Sequence, residues 1–186
     1  MDERPHAKLI ARPQLTALCH AHQAAGKTIV FTNGCFDLLH LGHVRYLQAA
    51  RDLGNLLIVG LNSDDSTRRL KGPERPLVPE QERAEVLAAL ACVDYVTIFE
   101  EDTAVALVQA LRPDVYVKGG DYAGNSSQGE PPAINYAKLP EAAPVLAAGG
   151  QVRLIPYLQG HSTSELIQRI VQRYSQPPCG DRQAEG

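Results

Sequence analysis

Apolar and polar positions alternate along the chain in blocks that predict strands and helices in turn. Short apolar runs rich in Val, Ile and Leu predict five strands, at 28–32, 56–61, 95–99, 115–117 and 151–156. Helical stripes and end signals predict six helices, at 12–26, 44–53, 79–90, about 103–111, a short one ending at 149–150, and one starting near 162. The polar segment 62–77 is predicted to be a loop.

Strands that alternate with helices imply a parallel sheet with right-handed crossovers and helices on both faces. The predicted fold class is therefore α/β, a Rossmann-like, doubly wound sheet of five parallel strands. A chain of 186 residues can bury the core of one domain, which we place at 1–174, with a mobile insertion at about 122–138 and a disordered tail at 175–186. Ligands of such sheets bind beyond the carboxyl ends of the strands, so the segments that follow strands are the first candidates for a site.

Composition restricts the kinds of protein that the chain could be. The net charge of −3, with 21% charged residues, argues against a broad nucleic-acid-binding surface. The start lacks the basic and then apolar pattern of a signal peptide, and no apolar run approaches the roughly 18 residues that span a bilayer. We therefore expect a cytoplasmic protein that binds neither nucleic acid nor membrane. The four cysteines have no C-x-x-C spacing, which disfavours a zinc site or a disulfide framework.

The segment from Thr32 to His43, Thr-Asn-Gly-Cys-Phe-Asp-Leu-Leu-His-Leu-Gly-His, joins the first strand to the helix that follows it. Such a turn binds phosphate because free backbone N–H groups and the positive end of the helix dipole converge there. His40 and His43 are three residues apart and so lie on one side of the first helical turn, while Gly42 leaves room for a bulky group. The pattern favours nucleotide chemistry over a simple packing turn. The predicted nucleotide-binding positions here are Thr32, Asn33, Gly34, Cys35, Phe36 and Gly42.

Two residues of this turn have more than one possible role. Cys35 is either a reactive thiol or, as we favour, a small residue whose backbone N–H matters. Asp37 is a candidate for binding substrate, orienting the loop or influencing a metal, and a structural Asx turn is about equally compatible with the sequence.

The residues 32–43 resemble the HxGH signature of the nucleotidyltransferase superfamily, and their wording resembles its cytidylyltransferase-like branch. The resemblance implies that an acceptor phosphate attacks the α-phosphorus of a nucleoside triphosphate and that pyrophosphate leaves. In this reaction charge spreads over phosphate oxygens, so catalysis consists mainly of positioning and electrostatic stabilisation. His40 and His43 would donate to phosphate oxygens, since an ionised acceptor needs no strong base.

Further cationic residues follow the second strand. Lys71, in Arg-Leu-Lys-Gly-Pro-Glu-Arg-Pro, resembles the Lys-Gly-x-x-Arg-Pro piece of bacterial heptose 1-phosphate adenylyltransferases. The resemblance implies that Lys71 meets phosphate on a closing loop and that Arg75 holds phosphate or the acceptor, although a solvated basic loop is the alternative. Arg83 matches an arginine of the family on the following helix and is a candidate substrate-binding residue. A helix-surface salt bridge is an equally plausible role for Arg83.

Two segments complete the predicted site. Val-Lys-Gly-Gly-Asp-Tyr, at the end of the fourth strand, occurs in the same adenylyltransferases, so Lys118 would reach the acceptor or triphosphate, with Gly120 and Asp121 beside the nucleotide. A plain strand-end turn is the alternative. Gly-His-Ser-Thr-Ser resembles the second signature of the superfamily, in which hydroxyl and N–H groups suit the β- and γ-phosphates. The residues concerned are Ser162, Thr163 and Ser164; Ser162 and Glu165 also have capping-box spacing, and His161 has no assigned role.

The resemblance covers about 15–174 and implies an adenylyltransferase that uses ATP and D-glycero-D-manno-heptose 1-phosphate to make ADP-heptose and pyrophosphate. Its catalytic set would be His40, His43, Lys71 and Lys118. Mg²⁺ is the expected cofactor, carried by the triphosphate rather than by protein ligands. A homodimer is expected by analogy with the superfamily. The alternatives are a CTP-dependent cytidylyltransferase acting on glycerol 3-phosphate or a similar alcohol phosphate, and a non-catalytic nucleotide-binding regulator.

Overall fold

The computed structural model describes residues 5–120, 136–156 and 158–175. The predicted insertion at 122–138 and the predicted tail at 175–186 lie almost wholly outside these residues, as does Asp121.

All five predicted strands are present and pair in parallel, in the order β3-β2-β1-β4-β5. The strands are β1 (Ile29–Gly34), β2 (Leu56–Asn62), β3 (Tyr95–Phe99), β4 (Val115–Gly119) and β5 (Gln151–Ile155). The helices are α1 (Arg12–Ala24), α2 (Leu41–Arg51), α3 (Asp64–Lys71), α4 (Glu80–Ala88), α5 (Val105–Leu111), α6 (Ala142–Ala147) and α7 (Thr163–Tyr174). The predicted fold class is confirmed. Within the described ranges no helix has the length and apolarity that crossing a bilayer requires.

Alternate residues of β1 point to opposite faces of the sheet and nucleate two hydrophobic cores. Ile29 and Phe31 belong to the core that packs against α1, α5 and α6, whereas Val30 belongs to the core that packs against α2 and α4. All three side chains are fully buried. Both faces of the sheet are therefore covered by helices, which explains why the central strands read as continuous apolar runs.

The segment 62–77 does not form a continuous loop, and that prediction was wrong: eight of its residues form α3. Ser63 caps the helix by accepting a hydrogen bond from the Ser66 N–H at 3.1 Å, and acidic residues occupy the first turn while basic residues occupy the last. The helix has no apolar stripe, since Leu70 is 46% exposed. For that reason the periodicity of apolar residues did not predict this helix. Lys71 accordingly ends a helix and is not part of a free loop.

The order of the strands places a crevice beside β1. From β1 the chain continues to β2 and β3 on one side, then crosses to β4 and β5 on the other. Strand order therefore reverses between β1 and β4, and ligands of open α/β sheets bind at the carboxyl ends of the strands flanking such a switch. The loop that follows β1 and the residues that end β4 meet at this edge.

Candidate active site

The loop after β1 is held in an unusual backbone shape. Phe36 and Leu38 have φ angles of 44° and 51°, in the left-handed region that residues other than glycine rarely adopt. A Cβ atom on Gly34 would lie 3.2 Å from the Phe36 ring, so a larger residue there would require that ring to shift by a few tenths of an ångström. Each left-handed residue costs about 1–2 kcal/mol, which must be offset by contacts elsewhere.

Asp37 supplies those contacts. Its carboxylate accepts hydrogen bonds from Arg75 Nε at 2.6 Å and from the backbone N–H groups of Leu77 at 2.8 Å and Val78 at 3.1 Å. Burial alone would raise the pKa of Asp37, but these three donors together hold it below its ordinary value. The Asp37 carbonyl also accepts from the Thr163 hydroxyl at 2.9 Å. Asp37 thus ties the β1 loop both to the segment 75–78 and to the start of α7.

Asp37 and Arg75, which the sequence offered as substrate-binding residues, therefore meet as an ion pair. The Asp37 side chain is fully buried, whereas the Arg75 side chain is 18% exposed. Both carboxylate oxygens of Asp37 are engaged by protein donors, so this side chain positions the loop. Among the described contacts, Arg75 uses only its Nε in this ion pair, so its terminal N–H groups can donate to a further acceptor.

His40 and His43 stack on each other at the start of α2, with ring centroids 3.9 Å apart and an interplanar angle of 30°. The Phe36 ring lies 5.5 Å from that of His43 on another side. The His40 backbone N–H donates to His43 Nδ1 at a long 3.4 Å, which leaves Nε2 as the donor of a neutral His43 ring. Within the part of the chain that is described, the buried His40 Nδ1 has no hydrogen-bond partner. The predicted pairing of the two imidazoles is thus present in the structure.

Burial favours the neutral form of both imidazoles. It lowers the pKa of His43 to about 4, and the neighbouring His40 acts in the same direction. Burial likewise lowers the pKa of His40, as do the charges of His161 and Arg169, against an opposing effect of Glu165. Two stacked imidazolium rings would repel each other strongly. A polyanion placed against the pair would relieve that repulsion and favour proton uptake.

Lys118, at the end of β4, reaches the same edge of the sheet. Its ammonium donates to the Asn33 carbonyl at 3.1 Å and to Asn33 Oδ1 at 2.8 Å. Tyr116 also donates to Asn33 Oδ1, at 2.7 Å. The pKa of Lys118 is lowered to about 8, chiefly by burial and also by the charge of Lys71, while Glu141 and Cys35 act in the opposite direction. The structure therefore gathers Asn33, Cys35 and the two lysines around the end of β1.

Arg83 lies inside the protein, and neither role considered for it from the sequence describes its position. The residue is only 2% exposed, so it does not form a helix-surface salt bridge, and its guanidinium contacts protein acceptors. It donates to the carbonyls of Val78, Asn62 and Cys35 and pairs with Asp64 at 2.7 Å. In this structure Arg83 joins α4 to the ends of β1 and β2. The sequence gives no signal of this burial, because Arg83 stands among the charged residues of a helix whose pattern is typical of an exposed one.

Thr32 is also held internally. It is fully buried, and its hydroxyl shares a 2.6 Å hydrogen bond with Tyr46 on α2, whose hydroxyl donates in turn to the Val117 carbonyl at 3.1 Å. Tyr46 was not singled out in the sequence, since a tyrosine on a helical stripe reads as core. It links the HxGH helix to β4.

The start of α7 lies against the HxGH turn. Ser162 and Glu165 form the predicted capping box: the Glu165 N–H donates to Ser162 Oγ at 3.1 Å and the Ser162 N–H donates to Glu165 Oε2 at 2.9 Å. A Cβ atom on Gly42 would lie 3.0 Å from the His161 carbonyl and 3.0 Å from the His40 ring. A larger residue at position 42 would therefore need the start of α7 or the His40 ring to shift by a few tenths of an ångström. Ser164 and Lys71 are exposed, and Gly120 follows directly on β4.

Among the described side chains, no three His, Cys, Asp or Glu residues form a group that could hold a metal ion. The arrangement instead collects neutral imidazoles, ammonium groups, hydroxyls and backbone N–H groups around one crevice. Such donors suit the oxygens of a phosphate chain.

Comparison with solved structures supports the assignment of the fold. A lipopolysaccharide core biosynthesis protein from Thermoplasma volcanium superposes with a TM-score of 0.54 at 27% identity, covering 73% of this chain and all of its own. Pantoate-beta-alanine ligase from Francisella tularensis gives a TM-score of 0.53 over 88% of this chain and 78% of its own, but at 14% identity it shows the fold alone.

Comparison of sequences shows the family. The chain is 52% identical over 170 residues to bifunctional protein HldE of Syntrophotalea carbinolica and 48% identical over 165 residues to that of Helicobacter pylori, which is 91% and 89% of this chain. In both cases it spans only 32% of the relative's length. The family model for cytidylyltransferase-like proteins matches residues 31–169, which include the HxGH turn and most of α7. The chain therefore belongs to the cytidylyltransferase-like family and is a nucleotidyltransferase.

Proposed function

We propose that the protein transfers AMP from ATP to D-glycero-D-manno-heptose 1-phosphate, giving ADP-heptose and pyrophosphate. One observation carries the proposal: the stacked His40–His43 pair lies beside the start of α7. The hydrogen bond from Thr163 to the Asp37 carbonyl ties the loop that precedes this pair to the same helix. The similarity to HldE proteins and to a lipopolysaccharide core biosynthesis protein supports the choice of a heptose phosphate as acceptor.

In the proposed reaction an oxygen of the sugar phosphate attacks the α-phosphorus, and the bond to the bridging oxygen of pyrophosphate breaks. His40 and His43 donate N–H groups to the phosphate oxygens on which charge accumulates. Lys118 and Lys71 add positive charge at the end of β1, and the Ser162–Ser164 turn holds the β- and γ-phosphates. Preorganised donors of this kind contribute through electrostatic stabilisation of the transition state.

ATP enters as its Mg²⁺ complex in this proposal. Magnesium commonly keeps several waters and binds substrate phosphates with few protein ligands. The Asp37 carboxylate, engaged by Arg75, Leu77 and Val78, is not available to ligate it. The acceptor phosphate is already ionised and needs no general base. We propose that Arg75 orients it through its terminal N–H groups, which contact no acceptor among the described residues. We also propose a homodimer, by analogy with the superfamily, which sedimentation velocity would test.

A pyrophosphate-release assay that crosses ATP and CTP with heptose 1-phosphate and glycerol 3-phosphate tests the proposal. We expect release with ATP and the heptose phosphate only. Release with CTP and glycerol 3-phosphate would replace the proposal by cytidylyl transfer, and no release with any pair would favour a nucleotide-binding regulator.

The matched variants for this assay are His43→Ala and His20→Ala. His43→Ala should lower turnover by about 100-fold or more, the usual cost of one transition-state donor. His20 is exposed on α1, so its replacement should leave turnover unchanged. Equal activity of both variants would contradict a catalytic role for His43.

A further inference from the structure

His161 is a third imidazole at the active site, and no role for it follows from the sequence. It precedes the capping residue Ser162 and follows Gly160, whose φ of 74° turns the chain toward α2. Its carbonyl packs against the HxGH turn at the position where Gly42 lacks a side chain. His161 therefore sits at the junction of the two segments assigned to the triphosphate.

The orientation of the His161 ring is fixed by a local hydrogen bond. Its Nδ1 lies 2.9 Å from the Gln159 carbonyl, and because a carbonyl only accepts, Nδ1 carries the hydrogen. Nε2 is consequently the nitrogen left for a ligand. The ring is partly exposed, so a ligand can reach it.

The surroundings of His161 favour an anion. The charges of His161 and Arg169 both lower the pKa of His40, whereas Glu165 raises it. The His161 carbonyl and the His40 ring each lie 3.0 Å from the Cβ position of Gly42. Glu165 is occupied by the capping box, where its carboxylate accepts from the Ser162 N–H and hydroxyl, each at 2.9 Å. Among the described residues, His161 Nε2 has no hydrogen-bond partner.

We propose that His161 is a further ligand of the triphosphate and of the departing pyrophosphate. In the imidazolium form both ring nitrogens carry hydrogen, so Nε2 donates a hydrogen bond to an oxygen of the β- or γ-phosphate while Nδ1 keeps its bond to the Gln159 carbonyl. No bond is made or broken at the ring. The inference rests on the proposed nucleotidyl transfer and adds a residue to its phosphate site.

Two substitutions separate a ligand role from a structural one. The amide of His161→Asn occupies about the place of Nδ1 and can still donate to the Gln159 carbonyl, but it offers nothing at the place of Nε2. The amide of His161→Gln does the reverse. The probe is inorganic pyrophosphate with Mg²⁺, measured by titration calorimetry, with the KM for ATP as a second readout.

We expect His161→Asn to weaken pyrophosphate binding about tenfold and to raise the KM for ATP similarly, since a hydrogen bond to a charged group is lost. His161→Gln should stay within about threefold of the original protein, and both variants should keep its melting temperature. Full affinity in His161→Asn, equal losses in both variants, or no pyrophosphate binding by the original protein would overturn the inference.

The binding measurement is independent of the acceptor. Pyrophosphate binding that depends on His161, in a protein that releases none from any substrate pair, would reject the proposed function and leave the inference standing. If the protein makes ADP-heptose and His161→Asn keeps the pyrophosphate affinity of the original protein, the proposed function stands and the inference about His161 is rejected.

Discussion

The substitution Asp37→Asn tests whether one buried carboxylate holds the active-site loop together. An asparagine has the same shape, and its amide oxygen can still accept from Arg75 and Leu77 if it takes the place of Oδ2. Its NH₂ group then faces the Val78 N–H, which needs an acceptor. The change therefore removes the ion pair and sets two donors against each other in a fully buried place.

The expected cost follows from the burial of the two partners. Breaking a fully buried ion pair costs about 3–5 kcal/mol, and because Arg75 is 18% exposed we expect the lower end, about 3 kcal/mol. For a chain of this size that corresponds to a fall in Tm of about 6–12 °C. The KM for ATP should rise as well, since the Asp37 carbonyl also anchors the start of α7.

Urea denaturation and thermal melting measure this cost, and Asp65→Asn is the matched control. Asp65 pairs with Arg68 on the surface of α3, with 79% of the Asp65 side chain exposed, so its loss should cost at most about 0.5 kcal/mol. The reasoning would be refuted if Asp37→Asn destabilised the protein no more than Asp65→Asn does.

Two further predictions concern buried charge. Stability should fall by up to about 3 kcal/mol as the pH drops from 6.5 to 4, because in that window the unfolded chain takes up a proton that His43, with its folded pKa of about 4, resists. Urea unfolding across this range should show the fall in the original protein and in His20→Ala, and a shallower one in His43→Asn; identical slopes would contradict the assignment. Arg83→Lys should cost about 2–4 kcal/mol in urea, because one ammonium cannot reach the four acceptors that the guanidinium serves. Arg69→Lys, at an exposed ion pair, should cost less than 1 kcal/mol. An equal cost for Arg83→Lys and Arg69→Lys would argue against a stabilising role for the four contacts of Arg83.

The sequence predicted those parts of the fold that depend on apolar periodicity. The five strands were found because buried parallel strands are apolar runs, and α7 was placed by its capping box. Helix α3 was missed because its stability comes from a cap and from charges arranged along the dipole, and its buried face consists of Ser66 and Thr67. The predicted carboxyl ends of β1 and β4 were each short by two residues, where Asn33 and Lys118 continue the strands toward the crevice.

At the site, the sequence predicted which residues come together but not what each contacts. A motif indicates that His40 and His43 lie side by side, since they are three positions apart at the start of a helix. It does not indicate that Asp37 and Arg75 neutralise each other, because that contact joins segments 38 residues apart. Arg83 is a similar case, since three of its four acceptors are backbone carbonyls, which no residue type reveals.

The contact between Arg83 and the Cys35 carbonyl has a consequence on the opposite side of the same peptide group. In a trans peptide the C=O and the following N–H point in opposite directions. By drawing the carbonyl inward, the arginine turns the Phe36 amide outward from the interior, without touching it. The buried guanidinium of Arg83 thus determines the direction in which the Phe36 N–H of the β1 loop points.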